Sequence, residues 1–190
     1  LLDWKDYAVE PKKQQLIEQM RALLDSPESP EALAIKISRL QDEWKGLSKG
    51  AQDQAQWEIF HQLSQTAYQP CKVFFEQQAK IRRENLDRRI AMVQQLWNYV
   101  SSQGWDTEAA QPFEARAVEA VFAAAIREWR GCVPVERSQN QSVQNDFDRM
   151  LDLIRSQINA HYEKNADIKR SLIEQALKLA ENEDNQKAIE

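Results

Sequence analysis

The chain has 190 residues, 42% of them apolar and 29% charged, with four glycines, six prolines and a net charge of −5. Such a composition suits an all-α protein; it holds no apolar run long enough to span a bilayer and no leader-like pattern, and its acidic balance argues against a general nucleic-acid coat. Cys71 and Cys132 have no metal-ligand spacing and no disulfide framework, so both read as reduced thiols and the chain as cytoplasmic.

In chain order, the opening Leu1-Leu2-Asp3-Trp4 lacks an initiator Met and reads as the start of an excised piece, residues 1–10 being the end of a preceding segment. Apolar periodicity and the positions of Pro and Gly then predict five helices, over 11–25, 30–48, 52–102, 109–130 and 139–182. Pro11, Pro27, Pro30, Pro112 and Pro134 fall at starts or in connections, where a missing amide costs nothing. Gly46, Gly50, Gly104 and Gly131 fall where an apolar period stops and read as C-terminal caps. Pro70, inside the third helix, predicts a kink between Thr66 and Pro70.

The chain also repeats itself. Glu43-Trp44-Lys45-Gly46 returns as Glu128-Trp129-Arg130-Gly131, and Leu33, Ile37, Leu40 and Trp44 step as Val118, Phe122, Ala125 and Trp129 do, one stripe of a helix in each case. Phe60, Leu63, Ala67, Cys71 and Phe75 have counterparts in Phe147, Met150, Ile154, Ile158 and Tyr162. A further register pairs Lys13, Leu16, Ile17 and Gln19 with Arg89, Met92, Val93 and Gln95, and again with Lys169, Leu172, Ile173 and Gln175. The expected fold is therefore all-α: an elongated tandem array of three-helix, spectrin-like repeats with long shared helices. Repeat one occupies 11–80, repeat two 81–165, and 166–190 begins a third.

The segment Leu40 to Leu47, then Trp57, Phe60, Phe74-Phe75 and Arg83 to Arg89 with Asn85, resembles the bacterial family domain of unknown function 349. So do Glu128 to Gly131, Val133-Pro134, Arg137, Phe147, Tyr162, Asn165 and Lys169. The resemblance covers most of the chain and implies units that occur singly or in tandem; it implies no activity.

Several residues are candidates for binding. Trp44 and Trp129, each followed by a cation, Lys45 or Arg130, sit at helix ends where they either fill the core or frame an aromatic pocket with Trp57. Asn85 with Arg89, and Asn165 with Lys169, lie four apart on one helical face, within reach of Glu43 or Glu128 in an interhelical ion pair, or they form a recurring anion or partner site. Lys80, Arg82, Arg83, Arg88 and Arg89 make the densest positive segment, interrupted by Glu84 and Asp87. For catalysis the sequence offers little: His61 and His161 have no metal-ligand companions, Cys71 reads as a buried small residue, Cys132 as an exposed turn thiol, and phosphate loops and nucleophile elbows are missing. The expectation is a non-enzymatic helical scaffold or adaptor without cofactor or small-molecule substrate, bound to a protein partner and not to a membrane. The alternative is an RNA- or ribosome-associated module that uses helix 80–89 and Arg127 to Arg137.

Overall fold

The computed structural model describes the backbone of residues 4–47, 54–107 and 112–187, and side chains over 9–47, 54–107 and 112–181. It has five helices: α1 (Trp4–Ala22), α2 (Pro30–Leu47), α3 (Gln54–Ser102), α4 (Ala115–Gly131) and α5 (Arg137–Lys187). None of the described helices is long and apolar enough to cross a membrane. The chain divides into two units, residues 1–80 and 81–190.

In the first unit α2 starts where the sequence dictates. Ser29 caps it, its carbonyl accepting from Leu33 N–H at 2.9 Å and its hydroxyl from Ala32 N–H at 3.3 Å, while Pro30 sits in the first turn, where no amide is needed. The stripe Leu33, Ile37, Leu40 and Trp44 is buried against Leu16, Ile17 and Met20 of α1 and against Phe60, Ala67 and Cys71 of α3. Gln41 donates to Ser64 Oγ at 2.6 Å, joining α2 to α3 beside this core.

In the second unit the core combines Met92, Leu96 and Val100 of α3, Val118, Ala125 and Trp129 of α4, and Phe147, Met150, Leu151 and Ile154 of α5, with Trp105 and Cys132 from the connections. The end of α3 is closed by Gly104 at φ 68°. Its N–H donates to the Ser101 carbonyl at 3.0 Å, and the Trp105 N–H to that of Val100 at 3.1 Å, the paired bonds of a Schellman cap. The cap folds Trp105, 4% exposed, back onto Val100.

The expected elongated, spectrin-like array of tandem three-helix repeats is not what the chain forms. It is a five-helix fold in which α3 packs against every other helix, giving Phe60, Ala67 and Cys71 to the core with α1 and α2, and Met92, Leu96 and Val100 to the core with α4 and α5. The physical reason is that the apolar stripe of α3 is long enough to serve two helix pairs, so its periodicity does not mark the limit of a repeat.

Local expectations are also corrected. Pro11 lies inside α1, not at its start, and α4 begins at Ala115 after extended Glu114 rather than at 109. Gly46 is within α2 and Gly131 is the last residue of α4, so neither takes the left-handed turn that Gly104 takes, and Gly50 lies outside the described residues. α3 is helical on both sides of Pro70. Cys132, expected in an exposed turn, is 7% exposed because its helix-end position folds it under the core.

Candidate interaction surface

Each unit buries one cation against one tryptophan. In the first, Trp44 stacks on Phe60, centroids 4.3 Å apart and planes 10° from parallel, and Lys13, 4% exposed, places its Nζ 5.9 Å from the Trp44 ring centroid. In the second, Trp129 stacks on Phe147 at 3.9 Å and 9°, and the Arg89 guanidinium lies 4.3 Å from the Trp129 ring. An aromatic pair contributes about 0.5–1.5 kcal/mol beyond burial, and a desolvated cation on an indole face up to about 2 kcal/mol. Such contacts offset part of the cost of removing an ammonium or guanidinium from water.

Arg89 and Asn85 fasten the α4–α5 connection to α3. Arg89 Nη1 donates to Asn140 Oδ1 at 2.7 Å and Nη2 to the Trp129 carbonyl at 3.4 Å; Asn85 donates to the Pro134 carbonyl at 2.8 Å, and the Arg82 carbonyl accepts from Glu136 N–H at 3.3 Å. The Val133–Pro134 peptide is cis. At the edge of the ring, Trp129 Nε1 donates to Gln144 Oε1 at 3.1 Å. Arg89 is 6% exposed and its Nε has no partner; burial pulls its pKa below the ordinary arginine value. The expected interhelical ion pair is absent here: Arg89 takes neutral partners, and Glu43 binds Arg39 of its own helix at 3.1 Å. The Trp129 carbonyl, which accepts from Cys132 N–H at 3.2 Å at the helix end, has a second lone pair for Arg89, so no carboxylate is required.

The remaining candidate residues are spread over separate surfaces. Lys45 is exposed and pairs with Asp42 at 3.2 Å, a solvent-facing pair of little energetic weight. It borders a shallow hollow of about 230 Å³ with Trp57 and His61, whose rings stack at 4.8 Å. Arg130 and Arg127 are exposed on α4 beside a hollow of about 410 Å³ formed with Phe122 and Ile126, and Arg155 lies 5.5 Å from the Phe122 ring. Arg83 is exposed and Arg82 half-buried. Asn165 contacts His161 Nε2 at 2.9 Å in a hollow of about 560 Å³ that Phe113 and Ile168 also line, whereas Lys169 is exposed. Tyr162 donates to Glu119 at 2.8 Å, which raises the tyrosine pKa by stabilising the phenol form.

Sequence reasoning missed Lys13, Asn140 and Gln144 as partners of the tryptophans. The signal for Lys13 was present in its register with Arg89; for the two amides there was none, since a polar residue on a helix looks alike whether or not a buried indole faces it. Among the described residues, no group of His, Cys, Asp and Glu is placed to hold a metal ion.

No curated protein and no solved structure matches the chain. Residues 55–138 match the family model described as Domain of Unknown Function (DUF349), a stretch from α3 to the start of α5 that takes in Phe60, Asn85, Arg89, Trp129 and Arg130 but neither Trp44 nor Phe147, so the resemblance is narrower than the motifs implied.

Proposed function

We propose that the chain is a non-enzymatic helical adaptor that binds another cytoplasmic protein through α5. The observation that carries this reading is the exposure of Ile168, Leu172, Ile173, Leu177 and Leu179, between 48% and 65%, on a helix that has left the core. Single exposed aliphatics are ordinary, but Ile168, Leu172 and Leu179 share one face of the helix, with Ile173 at its margin, and together read as an interaction surface. Most of the residues that first suggested chemistry, Trp44, Trp129, Asn85 and Arg89, are spent on packing, and although Ile35, Val73 and Trp97 are exposed elsewhere, the exposed aliphatics are most closely spaced on α5. The recurrence of a cation, a Trp and a Phe in both units supports reading them as related.

Exposed Arg127 and Arg130 favour the second reading, RNA or ribosome binding, and one experiment separates the two. The immobilised chain is presented with cell lysate, with and without nuclease, beside a Leu172→Asp, Ile173→Asp variant. Retention of a discrete protein that survives nuclease and is lost with the variant is the expected result. Nuclease-sensitive retention of RNA, lowered by Arg127→Glu and Arg130→Glu and by salt, would replace the adaptor reading with the second one.

A further inference from the structure

One apolar face of α5 runs from the packed part of the helix into its bare part. Phe147, Met150, Ile154 and Ile158 lie on it within the core of the second unit or against that core. At 3.6 residues per turn the same face continues through His161, Asn165, Ile168, Leu172, Ala176 and Leu179. Packing stops along it: Ile154 is 0% exposed, Leu172 58% and Leu179 65%. The bare stretch is thus continuous with an interface the chain already makes.

Two other faces in the chain indicate what fits such a stretch. Lys13, Leu16, Ile17 and Met20 on α1, Arg89, Met92, Val93 and Leu96 on α3, and Lys169, Leu172, Ile173 and Ala176 on α5 share one spacing. The first set is covered by α2, with Trp44 on Lys13; the second by α4, with Trp129 on Arg89; in both, the tryptophan stands in the last turn of the covering helix. Lys169 of the third set is exposed and, among the described residues, has no partner. A second copy of the chain fits the face poorly. Lys169 is on it and Lys164 at its edge, while Glu163, Asp167, Glu174 and Glu181 fall on the opposite side, so two copies would set lysines together without a counter-charge. The tryptophans of such a copy, Trp44 and Trp129, are buried already, at 5% and 7% exposed.

Resting on the adaptor reading above, we infer that the α5 face from Asn165 to Leu179 docks an amphipathic helix of a different protein that carries a tryptophan in its last turn, the indole covering Lys169 as Trp44 covers Lys13. The aliphatics supply the apolar contact, and the lysine on the indole face selects tryptophan and fixes the register.

A fluorescein-labelled peptide of residues 30–67, which supplies Trp44 and Phe60, serves as probe, and its anisotropy is followed as the intact chain is added. Saturable binding is expected, at least tenfold weaker for the Trp44→Ala peptide and for the Lys169→Glu chain, and lost with Leu172→Asp. Both chain substitutions are at exposed positions, and far-UV circular dichroism checks that the fold is kept. Equal binding of the two peptides, still lost with Leu172→Asp, overturns the tryptophan pairing and leaves the adaptor reading intact. Absence of saturable binding, or binding indifferent to Leu172→Asp, overturns the inference; the adaptor reading falls with it only if the lysate experiment also retains no nuclease-resistant protein.

Discussion

Arg89 illustrates how a single residue is committed by its surroundings. An arginine in a basic run invites a surface reading, yet this one is buried, with its guanidinium plane on Trp129 and its two terminal nitrogens on Asn140 and a helix-end carbonyl. Arg89→Ala removes those bonds and the cation on the ring, leaving the Asn140 oxygen without its Arg89 donor and the Trp129 carbonyl with Cys132 N–H alone, so a loss of about 3 kcal/mol is expected in urea unfolding. Arg89→Lys keeps the cation on the ring but not the two-pronged geometry, and about half that loss is expected. Trp129→Ala, which empties the centre of the same core, is expected to cost about 3–5 kcal/mol. Burial also raises the pKa of Cys71 and of Tyr99. A raised folded-state pKa on an acid gives stability that is whole below the unfolded-state pKa and is lost as pH climbs towards the folded-state one. The urea midpoint is therefore expected to hold to about pH 8 and to fall beyond it, first through the thiol and above about pH 10 through the phenol. Cys71→Val should delay the onset; an unchanged onset would exclude the thiol as its source.

At the scale of the element, two residues set the behaviour of α3. Gly104 accepts the left-handed turn that ends the helix and returns Trp105 to the core. A side chain there is strained, and Gly104→Ala is expected to lower stability by about 1–2 kcal/mol. Pro70 is exposed within the helix and removes the bond its amide would give to the Thr66 carbonyl. Pro70→Ala is expected to raise the unfolding midpoint, by an amount below the roughly 3 kcal/mol of a helix-interior proline because the proline also restricts the unfolded chain. A lowered midpoint would show that the proline shapes a bend the first core needs. Gly46 and Gly131, by contrast, have open space around the position a side chain would take and are in helical conformation, so alanine there is expected to be neutral or slightly stabilising.

For the whole molecule, stability resides in two cores, and the described part of α5 beyond its packed stretch belongs to neither. A chain ending at residue 165 is expected to unfold in urea within about 0.5 kcal/mol of the full one, because the described side chains it removes are, Ala166 apart, exposed. The same truncation is expected to abolish peptide binding and protein retention. A larger loss of stability would mean that α5 supports the core along its whole length and is not a free surface.

How much of this was legible depended on which residues are periodic. The stripe Leu33, Ile37, Leu40 and Trp44 follows from spacing alone, since burial of an apolar face is a local demand that a helix of 3.6 residues per turn transmits directly. The helices and the core they line were thus written in the sequence. It did not contain the arrangement of α3 against four partners, the neutral companions of Arg89 or the burial of Cys132, because each depends on which distant segment arrives at a helix face, and periodicity has no term for that. Nor did it distinguish Leu16 and Met92 from Leu172: the three share one register, and only the tertiary structure decided that the first two are covered and the third is left in water, where an apolar side chain seeks a partner.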